Sequence, residues 1–291
     1  MRQFSSIACV VSLLAGVGVA SATQINVAIL SSTGNSAWDT AIAAKIQPDA
    51  PLLNISVLNV SSATPTVAIL DLYQAVMVIG GNALFLNPVT LGNNLKDYID
   101  QGHGLVMTAL SNTISSCQFS TSGQLCGTFD SSDYWAIEPG LLNNNSNATL
   151  GHIYLPNDPL LAGVTSFDGG SISDRINGGV HSGATRVADW SDGTPLLVTR
   201  NFGSGATEVA VNFYPPSSAQ YAGLWVSTTD GGKILANAFN QAAGVSGSAD
   251  SDLPEPATYL LTGTGFSVMF LILRRRRRTL QCESAQGTRQ R

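Results

Sequence analysis

Few side chains in this sequence are placed to carry out covalent catalysis. Ser111 follows the apolar run GLVMTAL and would act as a nucleophile if a histidine and a carboxylate were brought beside it. The three histidines, His103, His152 and His181, lie in no recognisable motif. A structural role explains each histidine better than a catalytic one, because they fall at a helix-to-strand corner, a strand start and a glycine-rich loop, respectively. A serine triad is therefore a weak hypothesis that rests on Ser111.

Binding chemistry has more candidates. The polar segments SSTGNS (31–36) and GGN (80–82) each follow an apolar run typical of a parallel strand, and open α/β sheets bind ligands at such ends. Neither segment has the glycine and lysine spacing of a phosphate loop. If a sugar or another small polar ligand binds, we expect it at these two segments, near Asn82, with Trp38, Tyr134 and Trp135 as stacking surfaces. Ordinary packing is the competing explanation for these aromatic residues, and it is the commoner one.

Metal and cofactor chemistry is not predicted. Asp168 and Asp174 stand among glycines in FDGGSISDRINGGVHSG, where backbone carbonyls would help to bind calcium. The regular spacing of oxygen ligands is missing, so a surface turn is the stronger interpretation.

The elements that must position these residues alternate between strands and helices. QINVAIL, NISVLNV, AVMVIGG and GLVMTA are typical of strands, whereas AWDTAIAAKIQ and PVTLGNNLKDYIDQG have the four-residue apolar spacing of helices. This order predicts an α/β domain over 23–244 with a doubly wound, mostly parallel sheet. Residues 112–150 lose the rhythm and are predicted to form an inserted loop. A last helix ends near Ala243, and 245–253 is a polar linker.

Several phrases of this domain resemble the class I glutamine amidotransferase-like superfamily, which has a flavodoxin-type fold. They are DYIDQGHGLVMTA, NDPLLAGVTSF, DWSDGTPLLVTRNFGSG and EVAVNFYPPSS. Catalytic members of the superfamily carry a cysteine on a sharp, glycine-flanked turn, where this chain reads Ala109-Leu110-Ser111-Asn112-Thr113. Neither the cysteine nor the glycines are present. The resemblance therefore implies the fold and favours a domain without enzymatic activity.

The amino terminus has the pattern of a secretory signal peptide. Arg2 precedes the apolar stretch IACVVSLLAGVGV, and small residues follow, so we predict cleavage after Ala22 and a new start at Thr23. From Thr23 to Asp250 there are six basic and sixteen acidic residues, a net charge of −10. Such an acidic domain is a poor partner for nucleic acid.

Export has a consequence for the cysteines. Of the four in the chain, only Cys117 and Cys126 fall within the exported domain. In an oxidising compartment we predict that they form a disulfide, with two free thiols as the alternative.

The carboxyl terminus suggests a membrane segment. Residues 257–273 are apolar and uncharged, and as a helix they would be about 26 Å long, so we predict one transmembrane helix. The basic residues that follow would stay on the cytoplasmic side, with 279–291 as a cytoplasmic tail.

The same segment resembles the PEP-CTERM sorting signal of Gram-negative bacteria, here at 254–278. Its three parts are a PEP motif, the apolar run and a basic cluster, and its motif residues are Pro254, Glu255, Pro256, Arg274, Arg275, Arg276, Arg277 and Arg278. The resemblance implies processing by an exosortase-like sorting enzyme in bacteria that make exopolysaccharide. The leading hypothesis is thus a surface-directed matrix component, a membrane-anchored precursor until it is sorted from the inner membrane. A secreted hydrolase and a glycan- or solute-binding module are the alternatives.

Overall fold

The computed structural model describes residues 23–114 and 124–245. In this part of the chain the strands are β1 (Ile25–Ser31), β2 (Leu53–Asn59), β3 (Ala75–Ile79), β4 (Gly104–Thr108), β5 (Leu142–Asn143), β6 (Leu150–Ile153), β7 (Arg175–Ile176), β8 (Thr185–Trp190), β9 (Pro195–Asn201) and β10 (Thr207–Val211). The α-helices are α1 (Ser36–Ile46), α2 (Val67–Leu70), α3 (Pro88–Asp100), α4 (Thr128–Ser131) and α5 (Gly231–Ala242). A short 3-10 helix spans Pro159–Leu161.

Eight strands form one sheet in the order β2-β1-β3-β4-β10-β9-β8-β6. The five strands from β2 to β10 in this order run parallel, whereas β9, β8 and β6 extend the sheet with antiparallel pairings. Strands β5 and β7 form a separate antiparallel pair. The prediction of a mostly parallel α/β sheet is confirmed.

Helices cover both faces of the sheet. Helices α1 and α5 pack on each other above one face, and Ile42 and Phe239 belong to its core. Helices α2, α3 and α4 lie on the other face, where Leu95 and Phe129 belong to a second core. All five residues of β3 are fully buried, which explains their continuous apolar sequence. The sheet is therefore doubly wound, as predicted.

Local signals set the helix starts. The Asn35 side chain caps α1 by accepting hydrogen bonds from the Ala37 and Trp38 backbone N–H groups. The Asn87 side chain caps α3, and Pro88 follows at the first turn. Helix α2 has only four residues, and Thr66 at its N-cap position makes no side-chain capping hydrogen bond.

The predicted inserted loop, 112–150, is partly regular. It contains α4 and β5, and β6 begins at its end. Cys126 in this segment is disulfide-bonded. Cys117 lies outside the described residues, so its pairing with Cys126 stays a prediction.

The predicted fold class is wrong in one part, the C-terminal transmembrane helix. Among the described residues, every helix is too short or too polar to cross a membrane. The longest, α3, has 13 residues, and at 1.5 Å per residue it is about 20 Å long against about 30 Å of hydrocarbon core. Residues 257–273 lie outside the described residues, as do the predicted signal peptide (1–22) and sorting signal (254–278).

Candidate functional site

A cavity of about 280 Å³ opens beyond the carboxyl ends of the parallel strands. Its lining combines aromatic, amide, carboxylate and aliphatic groups from well-separated parts of the chain: Trp38, Asn82, Ile172, Asp174, Tyr214, Tyr221 and Leu224. We call it the carboxyl-edge cavity. Its volume is just below the roughly 300–1,000 Å³ of drug-sized ligand pockets, so it suits a ligand of monosaccharide size.

The position of this cavity follows from the strand order. The chain passes from β1 to β2 on one side and then crosses to β3 on the other side of β1. The loops after β1 and β3 therefore diverge, which leaves a crevice at the point where open α/β sheets bind their ligands. Trp38 on α1 and Asn82 after β3 stand on the two sides of this crevice.

Two polar groups of the cavity have unused hydrogen-bonding capacity. Tyr214, which follows β10, is only 5% exposed, and its hydroxyl has no hydrogen-bond partner among the described residues. Asp174 is half-buried, and burial alone raises the pKa of its carboxyl to about 6. No hydrogen bond or charge from the described residues opposes that rise. The Asp174 carboxyl is thus free to bond to a ligand, whereas the Tyr214 hydroxyl oxygen is itself buried and only the residue's remaining surface can line the cavity.

Aromatic rings form the outer wall. The Trp38 and Tyr221 ring centroids lie 6.3 Å apart with an interplanar angle of 50°. Tyr221 is 57% exposed, so one ring of the wall is open to solvent. An aromatic wall of this kind gives apolar contact area and an electron-rich face to a ligand.

Close backbone packing holds the inner end of the cavity. A Cβ on Gly81 would lie 2.9 Å from both the Thr33 Cα and the Tyr214 hydroxyl oxygen, so only glycine fits there. The loop after β1 is fixed by Asp39, whose carboxylate accepts hydrogen bonds from the Ser31 and Thr33 hydroxyls at 2.5 and 2.7 Å. The site is therefore largely preformed.

The turn after β4 is strained and holds no nucleophile at its centre. Leu110 has a φ of 72°, in the left-handed region that disfavours residues with a Cβ. A Cβ on Gly80 would come within 2.8 Å of the Leu110 carbonyl carbon, so the neighbouring strand end packs tightly against this turn. A sharp turn thus forms without the flanking glycines that the sequence lacks.

Ser111, the weak nucleophile candidate, is fully buried in that turn. Its Oγ accepts a hydrogen bond from the Gly80 N–H at 2.7 Å and donates one to the Val78 carbonyl at 3.2 Å. The hydroxyl therefore joins two neighbouring strand ends, and this geometry lends no support to a catalytic role.

The other two aromatic candidates lie on the opposite face of the sheet from the cavity. Trp135 is buried edge-on against Phe129, and its Nε1 donates to Asp130 Oδ1 at 3.0 Å. Tyr134 stacks on Phe202 and donates its hydroxyl hydrogen bond to an aspartate of α3. The structure thus brings together Trp38 and Asn82 and separates them from Tyr134 and Trp135.

One group of side chains has the composition of a metal site. Ligand atoms of Asp133, Glu138 and His181 lie within 4.8 Å of one another. However, His181 Nδ1 accepts a hydrogen bond from the Gly183 N–H, so the proton of the neutral ring sits on Nε2, which contacts Asp133 at 2.9 Å. A metal would need that nitrogen unprotonated. The group is better explained as a hydrogen-bonded contact between two loops.

Sequence reasoning missed Asp174, Tyr214 and Tyr221 as members of the cavity. The sequence presents Asp174 only as a candidate calcium ligand, and no motif marks Tyr214 or Tyr221 as a binding residue. Tyr214 could have been found from the Tyr-Pro-Pro sequence that follows the apolar run of β10. Strand β10 ends at the same sheet edge as β1 and β3, so residues just after it lie near the cavity.

Comparisons with known proteins define the fold. No protein-family model matches the sequence, and no curated protein matches it either. Among solved structures, a cytoplasmic protein of Salmonella typhimurium has a TM-score of 0.53 at 13% identity, covering 75% of this chain and 98% of its own. A ThuA-like protein of Parabacteroides merdae has a TM-score of 0.51 at 11% identity, covering 80% and 95%. A ThuA-like protein of Bacteroides uniformis has a TM-score of 0.50 at 12% identity, covering 77% and 93%.

The fold is therefore similar to that of ThuA-like proteins. At identities this low the likeness concerns the fold alone, and any function has to be argued from the site.

Proposed function

We propose that this chain is an exported binding protein whose carboxyl-edge cavity holds one small polar ligand without transforming it. The observation that carries the proposal is the Asp174 carboxyl, which has no partner among the described residues and lies in a preformed cavity beside the aromatic wall. Leaving a buried polar group unpaired costs about 1–3 kcal/mol, and a ligand that bonds to it recovers part of this cost.

The turn after β4 supports binding over hydrolysis. Its strained centre is Leu110, which has no nucleophilic atom, and the neighbouring Ser111 hydroxyl is engaged by the backbone of the β3 end. A glycan- or solute-binding module is thus better supported than a secreted hydrolase.

A ligand panel tests this proposal. The purified full-length chain is titrated by calorimetry with neutral sugars, amino sugars, amino acids and nucleosides, and each mixture is then examined for products by mass spectrometry. We expect saturable binding by at least one class without turnover, and at least tenfold weaker binding in Trp38→Ala. Turnover of any compound, or no binding across the panel, would contradict the proposal.

For delivery, we propose export through the amino-terminal signal peptide and sorting through the PEP-CTERM-like segment by an exosortase-like enzyme, toward the cell surface or its exopolysaccharide. The support is the order of the PEP motif and the basic cluster in the sequence. Intact mass of the native protein tests it. We expect a product that starts near Thr23 and ends near Pro256, whereas a mature product that retains Arg274–Arg278 would contradict sorting.

A further inference from the structure

The carboxyl-edge cavity has an electrostatic character that narrows the class of ligand. Asp174 faces it with an unpaired carboxyl group. The charges that act on the Tyr214 hydroxyl are also negative, since Asp174 and Asp39 both add to the effect of burial in raising its pKa. One carboxylate, Asp174, thus lines the cavity, and a second, Asp39, acts on Tyr214 from behind the loop after β1, in a domain whose net charge is −10 from Thr23 to Asp250.

The cations on the elements around the cavity are engaged elsewhere. Arg175, the next residue after Asp174, directs its Nη2 to Asp192 Oδ2 at 2.6 Å. Lys45 on α1 donates to the Ser227 carbonyl at 3.1 Å. Neither contributes to the pKa of Asp174, which burial alone raises. In the described part of the chain, the cavity therefore holds negative charge without a cation to balance it.

The aromatic wall favours the same sign of ligand charge. Trp38, Tyr214 and Tyr221 line the same cavity as Asp174, and aromatic faces attract cations within about 6 Å of the ring centroid. A carboxylate combined with aromatic faces is the arrangement that recognises an ammonium group. An anionic ligand would be repelled, and a neutral ligand would leave the carboxylate without a counter-charge.

The rest of the cavity lining indicates that the ligand carries more than an ammonium group. The exposed Asn82 amide can both donate hydrogen bonds to and accept them from ligand hydroxyls. Ile172 and Leu224 contribute apolar surface that suits the C–H face of a ring. The ligand should therefore carry an ammonium group, several hydroxyls and a compact ring.

We propose that the carboxyl-edge cavity binds an amino sugar, with the ligand ammonium group on Asp174 and the Trp38–Tyr221 wall, and with ligand hydroxyls on Asn82. This inference rests on the proposed binding function and goes further by assigning the charge and class of the ligand.

The test uses three sugars that share one ring and differ at one position: D-glucosamine, N-acetyl-D-glucosamine and D-glucose. The full-length chain is titrated with each at pH 7 by calorimetry. We expect glucosamine to bind at least tenfold more tightly than the other two. Asp174→Asn should reduce this preference to within about twofold. Asp97→Asn, which removes an exposed charge on α3, should leave it unchanged.

A pH series on the unaltered protein gives a second measurement that does not depend on a variant. Because the pKa of Asp174 is about 6, its ionised fraction falls about tenfold between pH 7 and pH 5. Glucosamine affinity should fall by a similar factor. Glucose affinity should change less than twofold.

Equal affinity for glucosamine and glucose, or an unchanged preference in a folded Asp174→Asn variant, would overturn the amino-sugar assignment while the binding function stands. Failure of all three sugars to bind would also overturn it. The broader ligand panel then decides separately whether the cavity binds another class of molecule.

Discussion

Glu208 provides a test of the fold's electrostatics that is independent of any ligand. It lies in β10, is fully buried, and neither of its carboxyl oxygens has a hydrogen bond of good geometry. Arg200 lies directly opposite in β9, but its guanidinium donates to the Asp133 and Trp135 carbonyls. Burial raises the pKa of Glu208 to about 8, although the Ala136 N–H and the Arg200 charge oppose the rise. The carboxyl is therefore mostly neutral in the folded protein at pH 7.

The magnitude follows from linkage between protonation and folding. The unfolded chain releases the Glu208 proton near pH 4.5, whereas the folded chain holds it to about pH 8. Stability from this group is therefore complete below pH 4.5, falls as pH rises, and levels off above about pH 8. At about 1.4 kcal/mol per pH unit the full loss is about 5 kcal/mol, of which about 3 kcal/mol is reached by pH 7.

Glu208→Gln removes the titration and keeps the shape of the side chain. We expect the variant and the wild type to have similar free energies of unfolding at pH 4.5, and the variant to be the more stable above pH 6 by an amount that grows up to about pH 8. Urea unfolding from pH 4.5 to 9, followed by circular dichroism, measures this difference. Asp97→Asn is the matched control, because it removes an exposed carboxylate. Parallel curves for Glu208→Gln and wild type would refute the reasoning.

Three further predictions concern the cavity and the inserted segment. Tyr214→Phe should raise the free energy of unfolding by up to about 1 kcal/mol in urea unfolding, because it removes a buried hydroxyl without a partner among the described residues; a clear loss of stability would mean that the hydroxyl has a partner. Gly81→Ala should lower the free energy of unfolding by about 1–3 kcal/mol in the same assay, because its Cβ would crowd Thr33 and Tyr214. Gly179→Ala is the control and should leave this free energy nearly unchanged, since a Cβ there meets no atom within 4 Å. Cys126→Ser should lower the free energy of unfolding by about 2–4 kcal/mol, and a reductant should narrow the gap between the two proteins; no gap under oxidising conditions would count against a stabilising disulfide.

The regular half of the fold was predictable because its signals are local. Strand β3 is apolar throughout since both of its faces are covered, and α3 carries an asparagine cap, a proline at its first turn and apolar residues at four-residue spacing. The rule that ligands bind at the carboxyl ends of parallel strands then sufficed to select Asn82 and Trp38.

The rest of the site depends on contacts between distant segments. Asp174 and Tyr221 lie in irregular stretches, and nothing in their immediate sequence shows that those stretches meet at the sheet edge. The left-handed turn at Leu110 was equally hidden, because leucine rarely adopts positive φ and does so here against the closely packed Gly80.

The position of β10 between β4 and β9 affects the order in which the domain folds. Glu208 pairs with Leu105, about 100 positions earlier in the chain, and such distant pairings slow folding because a long loop must close first. Until β10 has emerged, β4 ends the parallel sheet with an unpaired edge, and the cavity lacks Tyr214. A protein exported as an extended chain would therefore acquire its binding site late, after nearly the whole domain has crossed.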